Sequence, residues 1–281
     1  MKLIAEASNK NFSYNDYLDG VILPLDNYAV ESFCFYTIDE ITDIKLNSSN
    51  EIFVKINKNI FNDEIDELEN ILIKLNDIKI DGVFFYDLSI LKIVNDLKLD
   101  IPLIWGQTHM VNNYVTCDYY YNKGCKYALL SKEITLDEIC EIINKSSITC
   151  MVEVVSLPSV GFSRRKLISN YVKNSDYYDT KSLHVKEKVS NTFYNVYEND
   201  NGTCFYLDKI TNGTSIIKRL YDNGCSYIIF REYGIDCFDE LIKDTKDYIN
   251  CGCTDNKYID KYKKLGDSTN FFFKKTIYKV K

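Results

Sequence analysis

Short apolar segments rich in β-forming residues alternate with helical patterns along this 281-residue chain. Eight of these segments are predicted strands, and most of the eight lack strict alternation of apolar and polar residues, which is typical of strands buried on both faces of a parallel sheet. The segments between them place apolar residues on one helical face, as NDEIDELENILIKL does at residues 62–75. The eight predicted strands are LIAEA from Leu3, GVILPL from Gly20, IFVKIN from Ile52, GVFFYD from Gly82, IPLIW from Ile101, KYALL from Lys126, TCMVEVV from Thr149 and SYIIF from Ser226.

Eight strands that alternate with helices over this length predict an α/β fold of the TIM-like (β/α) barrel type. An open doubly wound sheet is the alternative, and it is weakened because no GxGxxG or GxxxxGK[ST] motif follows a strand. Around residues 181–208 the alternation of strand and helix patterns is replaced by short β-rich segments, which predict a small β-hairpin insertion before the last barrel unit. No linker rich in Gly, Pro or Ser divides the chain, so we expect a single domain over residues 1–281.

Composition and charge limit the location and the partners of the protein. The longest apolar runs are far shorter than the ~20 residues of a membrane span, and the N-terminus MKLIAEASNKN lacks the apolar core of a signal peptide. We therefore expect a cytoplasmic protein without a membrane partner. Residues 1–150 carry 13 basic and 24 acidic side chains, whereas residues 151–281 carry 21 and 17. This division predicts a polarised surface rather than general affinity for nucleic acid, and we expect no DNA partner.

The chain has ten cysteines but no CxxC motif. In a cytoplasmic protein, reduced thiols are expected rather than disulfides. The CGC pair, Cys251 and Cys253, could bind a metal together with Cys204, Cys225 or Cys237. The spacing matches neither a zinc ribbon nor a zinc finger, so we predict no metal site in this chain. Metal binding by these five cysteines is the alternative that the sequence leaves open.

Polar residues follow the predicted strands at the points where the strands end. In a barrel these ends meet at one mouth, so the side chains should gather there, although helix caps and solvated turns are the alternative explanation for each of them. Glu153 stands out because it lies inside the apolar run CMVEVVS, where an unpaired carboxylate would be costly. Arg164, Arg165 or Arg231 could pair with it. The residues at the predicted mouth are Asp26, Asn57, Asp87, Gln107, His109, Glu133, Glu153, Arg231 and Glu232.

Two segments about a hundred residues apart, YNKGCKYALLSKE and YDNGCSYIIFRE, resemble each other. The first ends in the pair Lys132 and Glu133, and the second in the pair Arg231 and Glu232. We interpret them as equivalent units of the barrel, with chance similarity in a biased composition as the alternative.

The segment SLPSVGFSRRKLISNYVK predicts a helix with Ser163 as its N-cap and Arg164, Arg165 and Lys166 in its first turn. Cations are disfavoured at this end of a helix, by roughly 0.3–1 kcal/mol each. Free backbone N–H groups and guanidinium groups would together form an anion site at the mouth, for a phosphate or a carboxylate. The alternative is that the two arginines pair with Glu153 and neighbouring acids and bind no ligand.

These segments resemble those of the collagenase-like peptidase U32 family. The resemblance covers most of the chain, and its most specific part is VEVVSLPSVGFSRRKLISNY, where Glu153, Ser163 and Arg164 match the family's strand-Glu, loop, Ser-Arg, helix element. Asn113 and Glu133 match the family's Asn after the fifth strand and the Glu that opens the next helix. The resemblance implies a barrel-type domain. It also implies either a peptidase or a factor for oxygen-independent hydroxylation of RNA bases or quinone precursors, which often works as paired subunits.

Some relatives in this family carry an iron–sulfur cluster and use prephenate as the oxygen source. Those relatives place a cysteine directly after the Ser-x-Arg element and further cysteines downstream, whereas SRRKLISNYVKNSDYYDTKSLH contains none. A cluster normally needs four thiolates. We therefore expect no cofactor in this chain, and an iron–sulfur cluster in a cysteine-bearing paralogue that acts as its partner.

The chain is most similar to a short Gram-positive branch of the family, which implies a subunit of a tRNA uridine hydroxylation system. Seven basic and three acidic residues in Ser163–Ser190 form a positive segment that could contact tRNA. One alternative is a peptidase in which Glu153, Glu133 and His109 are catalytic, and another is a non-catalytic scaffold for the paralogue. We expect a small anionic ligand, a phosphate or a prephenate-like carboxylate, at a site made of Arg164, Arg165, Ser163, Asn113, Asp87, Arg231 and Glu232.

Overall fold

The computed structural model describes residues 1–6, 8–10, 16–174, 182–189, 191–266, 269 and 271–274. The strands are β1 (Lys2–Glu6), β2 (Gly20–Pro24), β3 (Glu51–Ile56), β4 (Gly82–Phe85), β5 (Leu103–Trp105), β6 (Cys125–Leu129), β7 (Thr149–Ser156), β8 (Ser159–Ser163), β9 (Ser182–Lys186), β10 (Phe193–Asn199), β11 (Gly202–Leu207), β12 (Thr211–Asn212) and β13 (Tyr227–Arg231). The α-helices are α1 (Ile38–Asn47), α2 (Ile65–Asp77), α3 (Leu88–Asp96), α4 (Tyr114–Asn122), α5 (Leu136–Lys145), α6 (Leu167–Val172), α7 (Ile217–Asp222), α8 (Phe238–Asn250) and α9 (Asn256–Tyr262).

Eight parallel strands, β1 to β7 and β13, form a closed barrel. Each pairs with its neighbours in the order β7-β13-β1-β2-β3-β4-β5-β6, and the pairing of β6 with β7 closes the cylinder. Helices follow the barrel strands β2 to β7 and β13, as the alternating pattern predicted, whereas the described residues between β1 and β2 contain no helix. The TIM-like (β/α) barrel and all eight predicted strands are confirmed.

The helices pack one apolar face onto the barrel. In α2, Leu68, Leu72 and Leu75 are fully buried, and their spacing of three and four residues places them on one side of the helix. Burying such a side chain stabilises the fold by roughly 1.5–3 kcal/mol. A capping box begins α5, since Thr135 and Glu138 each accept a hydrogen bond from the other's backbone N–H.

Side chains on the barrel strands alternate between the outer and inner faces. The outer set packs against the helices, and the inner set fills the cylinder, so both faces are buried and the strands read as continuous apolar runs. The inner apolar cluster consists of Ile4, Ile22, Phe53, Phe84, Ile104, Tyr127, Leu129, Met151, Tyr227 and Ile229.

A four-stranded antiparallel sheet with the order β8-β11-β10-β9 lies between the seventh and eighth barrel strands. The predicted insertion is confirmed for β9 to β11, although residues 181 and 190 lie outside the described residues. The sheet is larger than predicted because SVGFS (Ser159–Ser163) adds the strand β8, which follows a proline and contains a glycine and so carries a weak strand signal.

The prediction that Ser163 caps a helix is wrong, because Ser163 is the last residue of β8 and α6 begins at Leu167. A tight turn between β10 and β11 explains this geometry. Gly202 adopts φ 135°, and a Cβ atom there would lie 2.2 Å from the carbonyl oxygen of Ser163. The hairpin therefore passes directly against residue 163 and holds it in the sheet.

Within the described residues, every helix is too short or too polar to cross a lipid bilayer.

Candidate functional site

A layer of charged side chains lies at the C-terminal end of the barrel interior. Four of its members lie on strands, each two residues after an inner apolar residue: Glu6 after Ile4, Lys55 after Phe53, Glu153 after Met151 and Arg231 after Ile229. Because side chains two residues apart on a strand point to the same face, these four also point into the barrel. Lys132, just after β6, joins them. We call Glu6, Lys55, Lys132, Glu153 and Arg231 the mouth network.

Ion pairs connect the members of the mouth network. Arg231 Nε donates to Glu153 Oε2 at 2.6 Å, and Arg231 Nη1 donates to Glu6. Lys132 Nζ lies 2.5 Å from Glu153 Oε1. Lys55 Nζ lies 3.2 Å from Glu6 Oε1, so each of the two carboxylates contacts two cations. The cationic partners of Glu153 are thus Arg231 and Lys132, and the predicted alternatives Arg164 and Arg165 do not contact it.

Burial and ion pairing oppose each other at these groups. Burial by itself raises the pKa of Glu153, but Arg231 and Lys132 outweigh it and hold the pKa well below its usual range. Burial also raises the pKa of Glu6, and Arg231 and Lys55 together bring it below the ordinary value. Both carboxylates are therefore ionised at neutral pH. A carboxylate with so low a pKa is a weak base, which favours a positioning role for Glu153 over proton abstraction.

The pKa values of two cations in the mouth network shift in opposite directions. Burial lowers the pKa of Lys55, and the attraction of Glu6 offsets only part of this effect. Burial also lowers the pKa of Arg231, but Glu153 and Glu6 outweigh it and raise the pKa above its ordinary value. Arg231 is consequently a permanent cation at the centre of the network.

The mouth network borders an open cavity of about 760 Å³, a volume that includes its solvent-filled opening. The side chains of Arg231 and Lys132 are 18% and 19% exposed, whereas that of Glu153 is 1% exposed. A molecule that enters the cavity therefore meets Arg231 and Lys132 before the carboxylate of Glu153. The other polar residues of the lining are Ser8, Glu31, Asn57, Thr108 and Ser159.

Aromatic side chains form one wall of the cavity. Phe33 stacks on Tyr233 with ring centroids 3.6 Å apart and an interplanar angle of 5°. Tyr206 of β11 packs against Phe33, and Tyr197 bonds Tyr233 through the two hydroxyl groups at 2.5 Å. The wall thus combines loops after β2 and β13 with two strands of the small sheet. It provides the cavity with an apolar surface beside its cations.

Glu31 lies at the rim in a strained backbone conformation, with φ 57°. Its carbonyl oxygen accepts a hydrogen bond from Lys55 Nζ at 3.2 Å, and its carboxylate accepts one from Ser159 Oγ at 2.8 Å. These contacts hold the residue in a conformation that an isolated peptide rarely adopts. Strain of this kind is frequent at binding and catalytic sites.

His109 and Glu133, which were predicted to be catalytic, form an exposed pair on the rim. The distance from His109 Nδ1 to Glu133 Oε1 is 3.1 Å, and both side chains are more than half exposed. His109 borders a second cavity, which shares with the first the lining residues Glu31, Asn57, Thr108, Lys132 and Ser159. The pair is therefore next to the mouth network but outside the cavity that this network borders.

Three of the predicted ligand-binding residues support loops and helix ends. Asp87 caps α3 by accepting a hydrogen bond from Ser89 N–H at 2.9 Å, and Asn113 caps α4 in the same way. Glu232 accepts a hydrogen bond from Ser8 N–H at 2.6 Å. None of these three side chains lines the cavity, so the geometry agrees with the capping alternative.

The predicted anion site at the start of α6 is already filled by a carboxylate of the chain itself. Glu198 accepts hydrogen bonds from the N–H groups of Ile168 at 2.8 Å and Ser169 at 3.1 Å. Because the helix begins at Leu167, Lys166 is its N-cap residue, and Arg164 and Arg165 lie before it rather than in its first turn. The N–H groups that were predicted to bind an external anion are therefore occupied by the chain's own Glu198.

Arg164 and Arg165 also differ from the prediction. The guanidinium carbon of Arg164 lies 3.6 Å from the centroid of the Phe61 ring, and Arg164 Nη2 lies 3.7 Å from Glu64. Arg165 is exposed on the surface. The structure thus places neither arginine in the cavity lining.

The cysteines are mostly buried. Eight are buried, Cys237 is half-buried and Cys251 is exposed. Burial raises the pKa of Cys225 to about 12 and that of Cys204 to about 11. In the described part of the chain, no three His, Cys, Asp or Glu side chains group together in a way that could hold a metal ion. These thiols do not fit a four-cysteine iron–sulfur site.

Thiol labelling of the native protein is expected to modify Cys251 first. Hydrogen bonding from the backbone of Thr254 lowers the pKa of Cys251, which is exposed, whereas buried thiols are both inaccessible and protonated. Brief treatment with iodoacetamide followed by peptide mass spectrometry should show Cys251 labelled at least about tenfold faster than Cys225. Unfolding in guanidinium should equalise the two rates. Equal labelling in the native protein would contradict the buried packing.

Comparisons with known proteins identify the proteins that this chain is similar to. Residues 27–229 match the sequence profile described as Peptidase family U32. The chain is 27% identical over 258 residues to tRNA hydroxylation protein P2 of Bacillus subtilis (strain 168), with 81% of each protein covered. It is 24% identical over 176 residues to an uncharacterized protease of Methanocaldococcus jannaschii, which covers 61% of this chain and 37% of that protein.

Among solved structures, that of a U32 peptidase aligns with a TM-score of 0.45 and 14% sequence identity, over 56% of this chain and 70% of the other. The profile match alone spans most of the chain. The chain belongs to peptidase family U32.

Proposed function

We propose that this protein is a subunit of an oxygen-independent tRNA uridine hydroxylation system in the cytoplasm, and that it binds a small anionic ligand at the barrel mouth. The observation that carries the proposal is the similarity to tRNA hydroxylation protein P2, which extends over 81% of both chains. The match extends over most of both chains and is not confined to one isolated motif.

The mouth network supports an anionic ligand. Arg231 uses Nε and Nη1 to hold the two buried carboxylates, which fixes the guanidinium plane and leaves Nη2 without a hydrogen bond to the described residues. Lys132 adds a second positive charge next to the other oxygen of Glu153. A phosphate or a prephenate-like carboxylate is the kind of group that a fixed guanidinium and an ammonium bind together.

The aromatic wall supports a ligand that also has an apolar body. Phe33, Tyr206 and Tyr233 cover the side of the cavity next to the small sheet. They exclude water from the ion pairs, which strengthens the attraction between the cations and a bound anion. In this arrangement the residues of the chain bind and orient the ligand, and Glu6 and Glu153 hold the cations in place.

A partner subunit belongs to the same proposal. The cysteines of this chain do not fit an iron–sulfur cluster, so a hydroxylation reaction that depends on one would draw it from a cysteine-bearing paralogue. In that arrangement the paralogue would hold the cluster, and this chain would supply the anion site.

Peptidase activity is less well supported by the geometry. The low pKa of Glu153 makes it a poor general base, and the exposed pair of His109 and Glu133 lies on the rim without a metal-binding cluster in the described residues. Proteolysis is therefore the alternative activity, and a test of the proposal has to distinguish it from tRNA hydroxylation.

Deleting the gene is expected to remove most hydroxyuridine from total tRNA, measured by mass spectrometry of nucleosides. Expressing the wild-type chain again should restore it, alone or together with the paralogue. The purified chain, incubated with gelatin with and without divalent metal, should leave the gelatin intact. Normal hydroxyuridine in the deletion strain would contradict the proposal, and gelatin cleavage that Glu153→Gln abolishes would establish the peptidase instead.

A further inference from the structure

One face of the small antiparallel sheet runs without interruption from the cavity to an exposed edge. Directly paired residues of neighbouring strands share a face. A single row crosses all four strands: Ser159 pairs with Tyr206, Tyr206 with Asn195, and Asn195 with His184. Ser159 and Tyr206 line the cavity, so His184 at the edge lies on the cavity face of the sheet. Strands are about 4.8 Å apart, which places His184 roughly 10 Å from Tyr206.

The opposite face of the sheet is covered over the inner part of β10. Val196 and Glu198 of β10 point that way, both are buried, and Glu198 holds the start of α6. Beyond the aromatic wall the cavity face of β9 and β10 is open, while on the other face Val185 of β9 is 38% exposed at the edge. The outermost pair of the cavity face is Lys186 and Phe193, which lie opposite each other in the register.

This outer pair combines a cation with an exposed ring. Lys186 is exposed, its Nζ lies 5.1 Å from the centroid of the Phe193 ring, and Phe193 is 44% exposed. His184 adds a further nitrogen donor on the same face, and Lys188 follows just beyond the end of β9. On a chain with net charge −7, this edge is a local basic surface with an aromatic side chain within it.

We propose that this face, formed by His184, Lys186 and Phe193, binds single-stranded RNA and leads it to the cavity. Phosphates would contact Lys186 and His184, and an unstacked base would lie on Phe193, since basic grooves with aromatic platforms are how proteins bind single strands. A neighbouring nucleotide would then reach the mouth along the row that ends at Ser159. The inference rests on the proposed function and identifies the surface that receives the tRNA loop.

The test compares two exposed lysines that each lie on a strand beside an aromatic ring, one on the small sheet and one on the barrel. Lys126 is exposed on a strand with its Nζ 5.0 Å from the ring of Tyr127, as Lys186 is over Phe193, but it lies at the N-terminal end of β6. Lys186→Glu is expected to weaken tRNA binding by roughly 5- to 20-fold and to lower the slope of log affinity against log salt by about 1. Lys126→Glu is expected to bind as the wild type does. Fluorescence anisotropy of labelled tRNA across a salt series measures both quantities.

Phe193→Ala provides a second, uncharged variant. It should weaken tRNA binding without changing the salt slope, because stacking is lost and phosphate contacts are kept. Near-ultraviolet circular dichroism checks that the variants keep the native packing. Wild-type affinity of folded Lys186→Glu, or an equal loss in both lysine variants, would overturn the proposed surface while leaving the proposed function intact. A wild-type chain that binds no tRNA, alone or with the paralogue, would overturn both.

Discussion

Replacing Arg231 by methionine is expected to lower the free energy of unfolding by about 3–5 kcal/mol, because it leaves two buried carboxylates without their shared cation. Arg231 contacts both Glu6 and Glu153, whose side chains are 5% and 1% exposed. Lys55 and Lys132 remain, but each then faces a carboxylate alone. Urea denaturation followed by circular dichroism measures the change.

Arg219→Met is the matched control for this prediction. Arg219 also pairs with a carboxylate, that of Asp137, but the two side chains are 51% and 79% exposed. Exposed pairs contribute about 0–1 kcal/mol, so this variant should unfold close to the wild type. Similar losses in both variants would show that the position of Arg231 inside the barrel mouth has no special importance for stability.

The stability difference between wild type and Arg231→Met is expected to shrink as the pH falls from 7 to about 4. In the wild type the folded pKa values of Glu6 and Glu153 are lowered, so their contribution is present above the unfolded pKa of about 4.3 and is lost as the pH falls through the folded values. In the variant, burial raises the pKa of both carboxyls, and Arg231 no longer opposes this effect. Protonation at low pH therefore removes the cost of burying two carboxylates without their shared cation. A difference that stays constant with pH would contradict this assignment.

The barrel itself was predictable from sequence because burial on both faces of parallel strands leaves a continuous apolar run, and eight such runs were visible. The same signal could have located more of the site. Glu153 was singled out as a charged residue inside an apolar run, and Glu6 in LIAEA and Lys55 in IFVKIN have the same local pattern. The inward direction of all three follows from counting two residues along each strand from an inner apolar residue.

The remaining parts of the site depend on contacts between distant segments. The stacking of Phe33 on Tyr233 joins residues two hundred positions apart through closure of the barrel, which no local pattern encodes. The start of α6 was predicted too early because Glu198, thirty residues downstream, binds its free N–H groups. Likewise, Arg164 has its partner in Phe61, a hundred residues earlier.

The similarity between the segments YNKGCKYALLSKE and YDNGCSYIIFRE has a structural consequence at the barrel mouth. They place Lys132 after β6 and Arg231 at the end of β13, and these two strands flank β7 on either side. Both cations therefore converge on Glu153, which projects from β7 between them. A repeated strand pattern thus produces a pair of cations around one buried carboxylate.

Replacing Lys132 by methionine is expected to reduce the hydroxyuridine content of tRNA at least about tenfold while the protein remains folded. Lys132 faces the cavity, and its loss removes one of the two positive charges available to an anionic ligand there. Glu153 keeps its bond to Arg231 at 2.6 Å, so its charge stays compensated and the barrel mouth stays assembled. The measurement is nucleoside mass spectrometry of tRNA from deletion cells that express each variant at equal soluble levels.

Lys145→Met separates this effect from the simple loss of an ion pair. Lys145 Nζ lies 2.7 Å from Glu141, a distance close to that of the Lys132 pair, but both side chains are half exposed on α5, outside the cavity lining. This variant should retain normal hydroxyuridine, and Lys132→Arg should recover part of the lost activity because it restores the charge. If Lys132→Met is as active as the wild type, the positive charge of Lys132 is not used in ligand binding. If the arginine variant recovers nothing, the length of the lysine side chain and its contact with Glu153 matter more than its charge.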